Sequence, residues 1–115
     1  GFGEYKWTDG TYYKGDFKDG LRDGYGKLEY KGKIYEGGFK GNYYYGKGKL
    51  VYPYGEIYEG DFKDGLRDGA GIFIDKKGDK YEGYYKDDLM HGEFTIFYKN
   101  GQIEKGKWTN GFKAE

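Results

Sequence analysis

Gly15-Asp16-Phe17-Lys18-Asp19-Gly20-Leu21-Arg22-Asp23-Gly24 returns letter for letter as Gly60 to Gly69. Ten identical residues at a fixed offset do not follow from composition. They mark an array, and an array is read by its period. Aligning the glycines divides the chain into five units, 1–23, 24–45, 46–68, 69–91 and 92–115, together one domain spanning 1–115. The second unit is one residue short, in the turn at Lys31-Gly32 where the first has Thr8-Asp9-Gly10.

Each unit reads Gly-x-Gly, an alternating run, a turn, a second alternating run and another turn. In unit three the runs are Gly46–Tyr52 and Glu56–Lys63. Alternate strand positions share a face. Gly46, Gly48, Leu50 and Tyr52 therefore join Tyr58, Gly60 and Phe62 on one side, with Ile57, Glu59, Asp61 and Lys63 on the other. The second runs of the remaining units repeat this as Tyr13/Gly15/Phe17, Tyr35/Gly37/Phe39, Tyr81/Gly83/Tyr85 and Glu104/Gly106/Trp108. A period of two bounded by turn residues means strand. The expected fold is all-β: an elongated, single-layer antiparallel array with one hairpin per unit. At about 4.8 Å per strand its length is on the order of 50 Å.

Asp9-Gly10, Lys31-Gly32, Tyr54-Gly55, Lys77-Gly78 and Asn100-Gly101 fall within units. Asp19-Gly20, Gly41-Asn42, Asp64-Gly65, Asp87-Asp88 and Asn110-Gly111 join them. Asx-Gly pairs suit tight hairpins because those turns need positive φ. The apolar residues that follow, Leu21, Tyr43, Leu66, Leu89 and Phe112, are expected to pin each connection to the array. Both glycines of Gly24-x-Gly26 and its equivalents are expected to let an aromatic ring lie on the neighbouring backbone, as interior strand glycines often do.

The run Tyr13-Lys14-Gly15-Asp16-Phe17-Lys18-Asp19-Gly20-Leu21-Arg22-Asp23-Gly24-Tyr25-Gly26 resembles the MORN repeat, and the resemblance extends over all five units. There are departures. The family's usual Trp is Phe17, Phe39, Phe62 or Tyr85, with Trp108 only in the last unit. Its His is Asp23, Tyr45 and Asp68, and His91 alone matches. Glu104 stands for the expected Tyr and Phe94 for the expected second Gly, so the last unit reads as a worn terminal repeat. The resemblance implies a non-catalytic scaffold of cytoskeletal, ciliary or membrane-junction type, or a membrane-targeting segment of a larger protein. It implies a cytoplasmic setting, associated with the cytoskeleton or a cilium. The chain opens at Gly1 without Met, which reads as a fragment.

Aromatics make up 23% of the residues and charged groups 35%. The charge alone suggests disorder, but sixteen Tyr and eight Phe oppose it. A single-layer array reconciles them, since its stability comes from neighbour-on-neighbour contacts. Net charge is zero and no unit is strongly basic, so nucleic acid is not an expected partner. Lys27, Lys31, Lys33 and Lys40 are the one candidate set for anionic or phosphoinositide lipid, diluted by Glu29 and Glu36. With no Cys, no Ser and one His, thiol, Ser–His and His-rich zinc chemistry are absent. The clustered Asp16/Asp19/Asp23 and Asp61/Asp64/Asp68 lie among Lys and Arg and lack a calcium-loop pattern. No catalytic set, cofactor or metal is expected.

The informative feature is a ladder of rings, Tyr13, Tyr35, Tyr58 and Tyr81, with Phe17, Phe39, Phe62, Tyr85 and Trp108 beyond them. Two readings stand. The rings pack on each other and on the glycines, or part of the stripe stays open as a lengthwise groove for a helical or extended partner segment. The edge strands Gly1–Trp7 and Gln102–Thr109 are expected sites of self-association or strand addition.

Overall fold

The computed structural model describes residues 1–114. Eleven strands form one antiparallel sheet in sequential order. They are β1 Phe2–Lys6, β2 Tyr12–Lys18, β3 Leu21–Tyr30, β4 Lys33–Lys40, β5 Tyr43–Val51, β6 Ile57–Lys63, β7 Leu66–Ile74, β8 Lys80–Lys86, β9 Leu89–Phe97, β10 Ile103–Thr109 and β11 Phe112–Lys113. The longest dimension is 47 Å, as an edge-to-edge ribbon requires. The C-terminal edge differs from expectation: β11 pairs with Trp108 and Thr109, so β10 is only partly free.

Turn chemistry accounts for the unit lengths. All five between-unit turns put both central residues at positive φ, from Asp19 (52°) and Gly20 (79°) to Asn110 (49°) and Gly111 (88°). That is the two-residue hairpin whose twist matches the strands. Four within-unit turns are longer, closed by bonds such as Gly10 N–H to Trp7 O at 3.0 Å, with positive φ confined to the glycine. In unit two Lys31 and Gly32 are both at positive φ, so it uses the shorter turn and loses one residue.

The glycines Gly3, Gly15, Gly26, Gly37, Gly48, Gly60, Gly71 and Gly83 stand opposite one another from β1 to β8. The sheet folds over along this row. Four residues of straight strand span about 13 Å. Yet the Tyr13 and Phe17 rings, four residues apart, meet at 4.9 Å and 81°. Register slips just beyond the row, between Gly15/Phe17, Gly37/Phe39, Gly60/Phe62 and Gly83/Tyr85. Such bulges bend a strand. At the first three a tyrosine takes a carbonyl beside the bulge: Tyr13 Oη donates to Asp16 O at 2.7 Å, Tyr35 to Gly38 O at 2.8 Å, Tyr58 to Asp61 O at 3.0 Å.

Inside the bend the rings interlock edge to face across units. Tyr13–Phe39, Tyr35–Phe62 and Tyr58–Tyr85 lie at 5.1, 5.2 and 5.1 Å. Each such pair adds about 0.5–1.5 kcal/mol beyond its buried area.

Two local expectations are corrected. Leu21, Tyr43, Leu66, Leu89 and Phe112 are exposed rather than packed into the core, although Tyr43 and Leu89 lie beside the turn glycines Gly65 and Gly111. Strand alternation turns the next residue inward instead: Arg22, Tyr44, Arg67 and Met90. Only the second glycine of each Gly-x-Gly lies under a ring. A Cβ on Gly26 or Gly48 would come within 2.5–2.6 Å of the Tyr13 or Tyr35 ring. The first glycines meet no ring and serve for conformation, with φ of 114° at Gly24 and 76° at Gly46.

Gly60→Val puts Cβ within 2.5 Å of Gly71 Cα and closer still to the Ala70 carbonyl oxygen. Backbone cannot rotate aside, so a loss of about 3 kcal/mol or more is expected. Gly46→Ala meets open space at a positive φ and costs about 1 kcal/mol. Equal melting temperatures for the two variants would refute the ring-and-backbone account.

Candidate functional site

The expected stripe divides in two. Tyr13, Tyr35 and Tyr58 retain no exposed surface, and Phe39, Phe62, Tyr85 and Trp108 are buried. Direct contact with a partner is closed to these seven, because the bend turns them onto each other. Phe17 and Tyr81 remain half-exposed. The open part of the groove is a second tier packed over the ladder: Trp7, Tyr44, Tyr52, Phe73, Met90 and Tyr98 join those two.

Arg22, Tyr44, Arg67 and Met90 are the tier's recurring element, each the second residue after a between-unit turn. That position was the missed signal. Tyr44 stacks on Tyr35 at 3.8 Å and 7°. Arg67 lies 4.8 Å above the Tyr85 ring and 5.8 Å from Phe73, bridging the two arms of the bend. Arg22 does the same from Trp7 (5.6 Å) to Phe39 (5.7 Å). Cation–π contacts this well shielded contribute on the order of 1–2 kcal/mol.

The two arginines are held unequally. Arg67 gives its backbone N–H and Nε to Asp88 Oδ1 at 3.0 and 2.9 Å, and Nη2 to Asp88 O at 2.7 Å. Asn42 stands in Asp88's place opposite Arg22. Its Oδ1 takes the backbone N–H (2.9 Å) and its carbonyl takes Nη2 (3.1 Å), leaving Arg22 Nε buried without an acceptor. Burial accordingly lowers the Arg22 pKa. At Arg67 burial also pulls downward, but Tyr52 and Asp88 more than offset it and the pKa is raised.

Two hollows open along the groove. One, of about 520 Å³, lies between Trp7, Phe17, Arg22, Tyr30 and Asn42. The other, of about 290 Å³, lies between Arg67, Phe73, Tyr81, Asp88 and Met90. The second is mostly apolar and the first mixed in polarity, and concave surfaces with a few fixed polar groups suit an inserted side chain.

The four lysines are not brought together. Lys31 and Lys33 flank the turn at one end of β4, and Lys40 sits at the other end over Tyr45 at 4.9 Å. Lys27 lies mid-strand, 4.0 Å from Glu29. Among the described residues no group of three or more metal-ligating side chains occurs, and no helix is long and apolar enough to cross a membrane.

Residues 1–12, 13–32, 58–80 and 81–93 match the family model of the MORN repeat. The chain belongs to the MORN-repeat family. No curated protein is significantly similar to it. MORN repeats are non-enzymatic modules of protein and membrane interaction. Three matched segments begin at the recurring tyrosines Tyr13, Tyr58 and Tyr81. Residues 33–57 lie outside the match, yet Tyr35 there lies on Gly48 as Tyr13 lies on Gly26.

Asp88→Ala removes the carboxylate that accepts from the Arg67 backbone N–H and Nε, leaving only the backbone carbonyl on Nη2, and a loss of about 2–3 kcal/mol is expected by urea unfolding. Asn42→Asp supplies Arg22 with the missing carboxylate and is expected to stabilise the chain. A destabilised Asn42→Asp would contradict the assignment. Burial also raises the phenol pKa of Tyr35, Tyr58 and Tyr13 above 10.0, and that of Tyr85 to about 12. The unfolded chain then ionises first. Stability is complete below pH 10 and falls as pH rises through the folded values. Melting temperature should drop steeply above pH 10, and a flat profile to pH 12 would exclude neutral, buried phenols.

Proposed function

We propose that this chain is a non-catalytic protein–protein interaction scaffold that seats a partner segment, helical or extended, along the aromatic groove. The observation that supports this reading is the second tier of half-exposed rings over a fully buried ladder. The ladder holds the groove's shape, while the tier presents large apolar bodies with polar tips, a composition enriched at binding surfaces. A partner with two apolar side chains for the two hollows and an acceptor for Arg22 fits best. A cytoskeletal, ciliary or membrane-junction setting accords with such a scaffold. Phosphoinositide binding finds less support, since Lys27, Lys31, Lys33 and Lys40 are dispersed.

Peptides selected from a random library on the intact chain test the proposal. Their affinity should fall at least tenfold on Tyr44→Ser/Phe73→Ser, with sheet content retained by circular dichroism. Undiminished binding to that variant would overturn the groove. Sedimentation with vesicles containing phosphoinositide is expected to leave the chain in the supernatant; salt-sensitive pelleting would favour the membrane reading instead.

A further inference from the structure

The face opposite the rings carries its own apolar row. Ile34, Val51, Ile57 and Ile74 are direct cross-strand neighbours on β4, β5, β6 and β7. All four are half-exposed, and Ile72 stands beside them, also half-exposed. The chain has six Ile and one Val; five of those seven lie here, and Ile103 ends the same row. A chain this poor in aliphatics has placed most of its β-branched ones outside its core. Contiguous exposed apolar surface of this kind marks an interaction site.

The flanks of the row indicate what covers it. Reading from β2 to β9 the row is Tyr12, Glu29, Ile34, Val51, Ile57, Ile74, Lys80, Phe97. Reversed about its centre it becomes its own complement: Val51 meets Ile57, Ile34 meets Ile74, Glu29 meets Lys80 and Tyr12 meets Phe97. The neighbouring row, from β3 to β8, is Lys27, Glu36, Lys49, Glu59, Ile72, Glu82. Reversed about the same centre, it sets Lys49 on Glu59 and Lys27 on Glu82; only Glu36 on Ile72 contributes nothing. Lys80 has no carboxylate within ion-pair distance among the described residues.

We propose that two copies of this chain pack face to face through this row, related by a two-fold axis that runs along the strands between β5 and β6. Reversal of strand order is the operation such an axis performs, and an isologous interface needs a self-complementary patch. The strands of the two copies stay aligned, the usual arrangement of stacked sheets. Six strands at about 4.8 Å and two rows of side chains cover on the order of 400–500 Å² per copy. That is below the roughly 800 Å² per partner of a stable interface, so the dimer is weak and concentration-dependent.

Sedimentation equilibrium tests it. The mass should climb from 13.3 kDa toward twice that value as concentration rises through about 100 µM. Glu29→Lys and Lys80→Glu, both at exposed positions, should each weaken association several-fold. The double variant, and an equimolar mixture of the two single variants, should restore it. Ile57→Lys should abolish association with the sheet intact by circular dichroism, while Tyr44→Ser in the groove should leave it unchanged. A monomer at every concentration would overturn the proposal. So would a dimer indifferent to both charge reversals, or one blocked only by changes on the open edge of β1.

Discussion

The structure depends on one contact: a tyrosine ring lying flat on a glycine of the next strand. Tyr13 on Gly26, Tyr35 on Gly48 and Tyr58 on Gly71 leave no room for a Cβ. The contact does three things at once. It buries the ring in a sheet that has no second layer. It fixes the line along which the strands fold over. It also carries the hydroxyl to a carbonyl beside the bulge, so the phenol is buried with a partner. A single sheet thereby acquires an interior, supplied mainly by aromatic residues with Leu28, Leu50 and Ile96 among them.

The fourth and fifth units show that the requirement is a ring over a glycine, not a particular polarity of the pair. Phe94 occupies the position where a glycine is expected, which would expel a ring lying on it. Instead Phe94 itself covers Gly83, where a Cβ would lie 2.6 Å from its ring, and it is almost wholly buried. Tyr81 is released from the ladder and donates to Asp75 Oδ2 at 3.2 Å. Phe94 then meets Tyr85 at 5.3 Å and Trp108 at 5.5 Å, so the zipper continues to the last full strand. What reads in sequence as a worn repeat is an exchanged pair.

Strands, hairpins and the side of the sheet holding the rings were legible because they follow from period two and from Asx-Gly turns. The bend was not. Alternation says which face a residue takes but not whether that face closes on itself, so Tyr13, Tyr35 and Tyr58 were equally good as core or as surface. The arginines were hidden for a related reason. Arg22 and Arg67 sit in the verbatim repeat among Asp and Lys, where composition suggests a solvated turn. Only the stacked position shared with Tyr44 and Met90 reveals them as groove residues. The outer Ile row escaped because its members lie on separate strands, β4 to β7, and become contiguous only once register is known.

The two faces solve opposite problems with different side chains. On the inner face large flat rings meet backbone, which demands glycine and makes the ladder intolerant of change. On the outer face β-branched residues meet across strands with ordinary cross-strand packing, and nothing there is needed to hold the bend. The outer row is therefore free of the constraint that shapes the groove, and a self-complementary pattern can be maintained on it at no cost to the core. Two copies joined back to back would carry their grooves outward on opposite sides. A partner with two copies of the recognised segment would then bind at an effective concentration set by the spacing of those grooves, and a groove of modest affinity would suffice for a scaffold.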